Sequence, residues 1–210
     1  MKTDSQQKLK HLIFRPMKKE DVGSVPLGCQ GNLIDIYSRI EKLGSAAILV
    51  FEKQKHIAQL QFREYDPRTC SPNGLWDPLY WGDFGIDAPI LPDRILSIYC
   101  YHVGQIDESE KRDKSYHGMG IGKAMLEKLL YWAKDSGFNG LTAKATPESR
   151  PVMSFMGGQP LSVYKTLGFE TFNSFIDKEL LNEVKKRGIV SDKADPREVA
   201  LVSNCVKYFK

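Results

Sequence analysis

The most constraining feature of this sequence is a run of alternating glycines that leads directly into an amphipathic helix. After the glycines, apolar residues recur at helical spacing at Ile121, Met125 and Leu129, so a helix is expected to begin before the run ends. The first N–H groups of a helix lack intrahelical partners and lie at the positive end of its dipole. A glycine-rich approach to such a helix therefore predicts a phosphate-binding loop. The residues predicted to form this loop are His117, Gly118, Met119, Gly120, Ile121, Gly122 and Lys123.

Two common phosphate loops do not fit this run. A Walker A loop would need glycine at His117 and a hydroxyl at Ala124, and a dinucleotide fingerprint would need a third glycine at Lys123. The pattern that remains is Gln/Arg-x-x-Gly-x-Gly/Ala. Gly120 and Gly122 match its two later positions, and His117 stands in place of Gln or Arg. This pattern resembles the pyrophosphate loop of the GCN5-related N-acetyltransferase (GNAT) superfamily.

A second segment strengthens the resemblance. Residues 164–169 read Tyr-Lys-Thr-Leu-Gly-Phe, which is similar to the Tyr-x-x-x-Gly-Phe segment of the same superfamily. The resemblance implies a mixed α/β fold, with a central, mostly antiparallel and splayed sheet flanked by helices. It also implies one GNAT-like domain over residues 1–210, with the specific motifs between Tyr99 and Phe169.

Hydrophobic periodicity and breaker residues predict the order of the elements. Strands are predicted at 11–17, 46–51, 56–62, 95–103, 141–145, 171–176 and 199–209, and helices at 32–43, 121–136 and 178–187, with a short helix carrying Tyr164. Three stretches depart from a compact version of this plan: the aromatic- and proline-rich segment 66–94, which has no periodicity, the charged segment 104–116, and the proline- and glycine-rich segment 146–161 beside the expected acceptor site. The first is either a lid or binding surface, or a loop pinned to the core by its aromatic residues.

The resemblance also implies roles for individual residues. The loop would hold the pyrophosphate of acetyl-CoA, and the strand end Tyr101, His102 and Val103 would offer backbone groups to its pantetheine arm. Tyr164 would protonate the departing thiolate, for which an ordinary phenol of pKa about 10 is suitable. The general base stays open among His102, Asp83, Asp87, Asp93 and a chain of waters. Two residues depart from the superfamily pattern: His117 replaces Gln or Arg, and Gly157 stands where many members have Asn.

Composition excludes several other classes of protein. A formal charge of +4 is spread along the chain, and no basic stripe with interleaved aromatic residues supports nucleic-acid binding. The four cysteines lie far apart, which predicts free thiols in a reducing cytoplasm and no zinc cluster or other metal site. No apolar run is long enough to span a membrane, and the N-terminal residues lack the apolar core of a secretory signal. A homodimer is left open.

The function that follows from the resemblance is acyl-CoA-dependent N-acyl transfer. It would move acetyl from acetyl-CoA to a primary amine, of a small molecule or a protein, by direct attack in a ternary complex. One alternative is a non-catalytic module of the same fold that senses acyl-CoA. Another is an unrelated nucleotide-binding protein, which the failed Walker and dinucleotide patterns disfavour.

Overall fold

The computed structural model describes residues 9–66, 90–109 and 111–210. The strands are β1 to β7 in chain order: Leu12–Pro16, Ala47–Glu52, Lys55–Glu64, Ile95–Val103, Gly140–Ala145, Glu170–Ile176 and Leu201–Tyr208. The helices are α1 to α6 in chain order: Leu33–Leu43, Ile121–Asp135, Arg150–Met156, Leu161–Thr166, Lys178–Lys186 and Pro196–Ala200. Most of the aromatic-rich segment, including Asp83 and Asp87, lies outside the described residues.

The strands form one seven-stranded sheet in the order β1-β2-β3-β4-β5-β7-β6. β4 and β5 run parallel, whereas the pairs β1–β2, β2–β3, β5–β7 and β6–β7 are antiparallel. The β4–β5 ladder extends from Ile95 opposite Gly140 to Ile98 opposite Ala143, five residues short of the end of β4. The predicted fold class, a mixed α/β domain built on a mostly antiparallel sheet, is confirmed.

Contacts divide the chain into two compact units, and the boundary falls inside β4 between Cys100 and Tyr101. The first unit contains β1 to β3, α1, the end of β4 and α2, and the second contains the rest. Each unit has its own core and is described by itself.

In the first unit, α1 and the β2–β3 hairpin form as the sequence predicts. Asn32 caps α1 by accepting from Asp35 N, and Gly44 ends it with φ +90°, a conformation that favours glycine. One core cluster consists of Met17, Val25, Ile36, Ile40, Ala46, Ala47 and Leu49. The buried face of α2 comprises Ile121, Met125, Leu126, Leu129 and Ala133. The ring centroids of Phe62 on β3 and Trp132 on α2 lie 5.2 Å apart.

The second unit is built around the β5–β7–β6 ladder. Its core cluster consists of Val152, Leu180, Val184, Val199, Ala200 and Val202. Within it, Lys144 Nζ lies 3.2 Å from Asp177 Oδ2, and both side chains are buried. Asp177 also caps α5, because its other carboxylate oxygen accepts from Leu180 N.

Two stretches of this unit form helices that were not predicted. Segment 146–161 contains the helix α3, which begins beside Pro151 and ends at Gly157 with φ +60°. A proline is tolerated in the first turn of a helix, so it did not mark a loop here. The closing strand was predicted to begin at Val199, but Val199 and Ala200 end α6 and β7 begins at Leu201.

The described cysteines are Cys29, Cys100 and Cys205, which form no disulfide with one another, and Cys70 lies outside the described residues. Burial raises the pKa of the Cys205 thiol to about 12, so this cysteine packs as an apolar side chain. Among the residues that the structure describes, no helix has the length and apolar composition needed to cross a bilayer.

Candidate active site

The glycine loop before α2 adopts a backbone that few residues other than glycine take readily. Gly118 has φ +77° and Gly120, the N-cap of α2, has φ +86°. A Cβ added at either glycine would meet no atom within 4 Å. The glycines are therefore required by backbone conformation, and they leave open space in front of the loop.

The first turn of α2 presents backbone N–H groups at this open space. No side chain caps the helix, since Gly120 has none to offer, and its carbonyl accepts from Ala124 N at 3.1 Å. No acidic residue lies in the first turn, whereas Lys123 there is exposed. Ile121 and Gly122 are buried, which fixes the direction of the helix start. An uncapped start to a 15-residue helix, with a lysine beside it, suits a phosphate.

Three contacts within the first unit hold the loop in place. His117 Nε2 lies 3.2 Å from the carbonyl oxygen of Val103, at the end of β4. Tyr116, in a 3₁₀ turn just before the loop, donates its hydroxyl to Glu52 at 2.8 Å. Asp113 N donates to the Gly104 carbonyl at 2.8 Å, which closes the charged segment at its base.

Tyr116 and Glu52 were not predicted from the sequence. Burial and the hydrogen bond to Glu52 raise the pKa of Tyr116 to about 12, and the same bond lowers the pKa of Glu52. Tyr116 is 9% exposed, so it anchors the loop to the β2–β3 hairpin. The sequence signal for this anchoring role is an aromatic residue directly before a glycine loop, a signal too common to identify the role by itself.

The end of β4 is buried at Tyr101 and His102. The guanidinium of Arg112, in the charged segment, lies 3.2 Å from His102 Nδ1. A guanidinium only donates, so Nδ1 accepts in this contact. Nε2 faces Gly28, where an added Cβ would lie 2.9 Å away. With Nδ1 engaged by Arg112 and the residue 5% exposed, the geometry gives no support to His102 as the general base.

Asp93, the one acidic base candidate in the described part of the chain, lies in the second unit. Its carbonyl oxygen accepts from Asn139 Nδ2 at 2.8 Å. Asp83 and Asp87 lie outside the described residues, so the identity of the base stays open.

Tyr164 lies on α4 in the second unit and is 1% exposed. Its ring meets the ring of Phe169 edge to face with centroids 5.1 Å apart, and Phe169 N donates to the Tyr164 carbonyl. Gly168 makes the turn between them with φ +79°, and an added Cβ there would lie 2.7 Å from Lys207 Nζ. The Tyr-x-x-x-Gly-Phe segment thus fixes the tyrosine ring. The acid role of Tyr164 remains a prediction.

Gly157, the other departure from the superfamily pattern, ends α3 in the left-handed conformation. Asparagine is the residue that most readily replaces glycine there. The exchange of Asn for Gly therefore preserves the backbone at this position and changes only the side chain.

Comparison with known families gives a match to the Acetyltransferase (GNAT) family over residues 90–159. The matched segment contains β4, the glycine loop, α2, β5 and α3, and it stops before Tyr164. A sequence comparison with curated proteins gives no match.

Solved structures share the fold at low sequence identity. A GNAT-family acetyltransferase from Streptococcus pneumoniae is 13% identical with a TM-score of 0.54, covering 94% of this chain and 99% of that one. A polyamine N-acetyltransferase from Drosophila melanogaster is 10% identical with a TM-score of 0.55, covering 94% and 100%. An N-acetyltransferase from Staphylococcus aureus Mu50 is 12% identical with a TM-score of 0.51, covering 96% and 100%. The resemblance inferred from the sequence is confirmed.

Proposed function

We propose that this chain, which resembles the GNAT family over residues 90–159 and in its fold, transfers an acetyl group from acetyl-CoA to an amine. The observation that carries the proposal is the glycine loop. It combines two left-handed glycines, an uncapped helix start and open space in front of both. This is a place where a pyrophosphate can accept several backbone hydrogen bonds at once.

The residues present fit acetyl-CoA, which would supply the acetyl group as a reactive thioester. The first-turn amides of α2 would hold its pyrophosphate, with Lys123 adding a positive charge. His117 lies at the start of the same loop, close to Val103. We assign the backbone of Tyr101 to Val103 to the pantetheine arm and to polarising the thioester carbonyl.

In the transfer itself, a nitrogen–carbon bond forms between the amine and the acetyl carbonyl, and the carbon–sulfur bond breaks. We assign Tyr164 to donate its phenolic proton to the departing sulfur, after which solvent restores the proton. The proton released by the attacking amine leaves through a base or a chain of waters. Direct attack in a ternary complex needs no covalent intermediate on the enzyme, which suits a site for which no nucleophilic side chain is proposed.

An amine acceptor also agrees with what is named for one structural neighbour. The Drosophila melanogaster enzyme catalyses the formation of N-acetylagmatine, so it acetylates an amine. At 10% identity this neighbour shares the fold alone, and the amine acceptor is proposed here for this chain.

The loop can be tested by replacing Gly120 with Asn. Asparagine tolerates positive φ better than most residues, so the backbone should persist while the side chain enters the open space. We expect acetyl-CoA affinity, measured by titration calorimetry, to fall at least about tenfold, which corresponds to about 1.4 kcal/mol.

Gly188→Asn is the matched control. Gly188 also has positive φ, +65°, and an added Cβ there also meets no atom within 4 Å. It carries the same conformational cost outside the loop, so its acetyl-CoA affinity should equal that of the parent chain. Equal affinity in Gly120→Asn and Gly188→Asn would contradict the proposed function.

A further inference from the structure

The second unit contains a cavity of about 520 Å³, a volume in the range of small-molecule sites. Its apolar wall is formed by Leu161, Val199 and Leu201. Polar groups from the segment after β5 and from the start of β7 complete the lining. The cavity therefore combines an apolar wall with polar edges, as sites for small polar molecules do.

Three charged side chains line this cavity: Glu148, Arg197 and Glu198. None of the three side chains forms an ion pair with any residue of the described part of the chain. Other charged residues of this unit do pair, such as Glu183 with Arg187 at 3.0 Å. All three residues are exposed, so charges of both signs lie in one cavity where solvent and a ligand can reach them.

The cavity adjoins the helix that carries the proposed acid. Leu161 is the first residue of α4, and Tyr164 follows one turn later on the same helix. Thr146, which also lines the cavity, is paired with the segment that leads into α4, because its N–H donates to the Gln159 carbonyl. Gly158 makes this approach close, since an added Cβ there would clash with the Thr146 methyl group.

We propose that this cavity binds the acceptor, and that the acceptor is a free basic amino acid. Its carboxylate would pair with Arg197, and its two amino groups with Glu148 and Glu198. The ligand then carries two positive charges and one negative, opposite to the two carboxylates and one guanidinium of the cavity. A diamine would leave Arg197 facing only positive charge, and a neutral amino acid would leave one carboxylate unpaired. This inference rests on the proposed function.

Three matched compounds test the assignment: lysine, 1,5-diaminopentane, which lacks the carboxylate, and norleucine, which lacks the side-chain amine. Calorimetry on the full chain should show lysine binding at least about tenfold more tightly than either analogue. With acetyl-CoA present, lysine should also give the fastest release of free thiol. Equal binding of lysine and 1,5-diaminopentane would overturn the role of Arg197 and with it the inference.

Variants assign each charge separately. Arg197→Gln should remove the advantage of lysine over 1,5-diaminopentane and leave the diamine's affinity no weaker than before. Glu148→Gln or Glu198→Gln should weaken both ligands about tenfold. Glu179→Gln, an exposed charge on α5 outside the cavity, controls for bulk electrostatics and should change neither. An unchanged lysine preference in Arg197→Gln would contradict the inference.

Failure of this inference is distinguishable from failure of the proposed function. If the chain binds acetyl-CoA and acetylates another amine but does not bind lysine, only the acceptor assignment is wrong. If acetyl-CoA does not bind, the proposed function is wrong, and the inference, which rests on it, fails too.

Discussion

The glycine loop of the first unit and the charged cavity of the second meet a ligand with different parts of the chain. The loop presents backbone amides, held open by Gly118 and Gly120, and no side chain caps the helix start. The cavity presents the side chains of Glu148, Arg197 and Glu198 against an apolar wall. One site depends on backbone conformation and the other on which side chains converge.

This difference explains why only the loop was visible in the sequence. A left-handed backbone position favours glycine, so the conformation of the loop can be predicted from its residue types. Surface glutamate and arginine are common in any chain, and nothing in the spacing of residues 148, 197 and 198 shows that they meet. Substitutions therefore separate the two kinds of site, and we order them from the largest expected effect to the smallest.

The largest effect should come from Tyr164→Phe. The substitution removes one hydroxyl and keeps the ring against Phe169, so acetyl-CoA affinity should change little. If the phenol protonates the departing sulfur, kcat should fall about 100- to 10,000-fold. Free-thiol release under saturating acetyl-CoA and acceptor measures the change.

Tyr131→Phe is the matched control, because Tyr131 is 72% exposed on α2 and should keep full activity. A loss in acetyl-CoA affinity without a loss in kcat would make Tyr164 a binding residue. Full turnover in Tyr164→Phe, with chemistry rate-limiting, would place the acid elsewhere.

The next largest effect should be a loss of stability at low pH in the first unit but not in the second. All four histidines belong to the first unit, and His56 there is 6% exposed. Burial lowers the pKa of His56 from 6.5 to about 4. Between these values the unfolded chain binds a proton that the folded chain does not, so stability falls as the pH falls through this window. The loss from His56 is about 3 kcal/mol once the pH reaches 4.

Hydrogen exchange at pH 7 and pH 4.5 should detect this loss as reduced protection in the first unit before the second. His56→Gln should flatten the pH dependence of unfolding free energy between pH 4 and 6.5, whatever its effect at pH 7. Tyr131→Phe, at an exposed side chain on α2, should leave that slope unchanged. Equal slopes in the parent chain and His56→Gln would contradict the assignment.

The smallest effect should come from His117→Ala. The variant loses the contact with the Val103 carbonyl and the proposed side-chain contact with phosphate, but it keeps the amides of the loop. We expect acetyl-CoA affinity to weaken about two- to tenfold, as for loss of one or two hydrogen bonds. Tyr131→Phe, at an exposed side chain on the helix α2 that follows the loop, should not change it. A loss larger than that of Gly120→Asn would mean that the side chain, rather than the backbone, carries the binding.

Local sequence patterns predicted most of the elements. The helix over residues 32–43 was read from the apolar spacing of Ile36 and Ile40 and from Gly44, and the structure places α1 there with Asn32 as its cap. Strand β4 was predicted at its observed bounds. The helix α3 was missed because Pro151, Gly157 and Gly158 surround a short helix in which they occupy a first turn, a C-cap and a close approach. Proline in a first turn and glycine at a C-cap are compatible with a helix as well as with a loop, so these residue types did not distinguish the two.

The sequence by itself determined the glycine loop and the helix that follows it, because hydrophobic periodicity and glycine conformation are local properties. The fold class followed from the resemblance of two sequence motifs to a known superfamily. Tertiary structure alone decided that Tyr116 anchors the loop to Glu52 and that Arg112 engages His102. It also decided that Glu148, Arg197 and Glu198, which form no ion pair within the described residues, share one cavity. These contacts join residues as far as 64 positions apart, and such pairings depend on strand order and register, which no local pattern encodes.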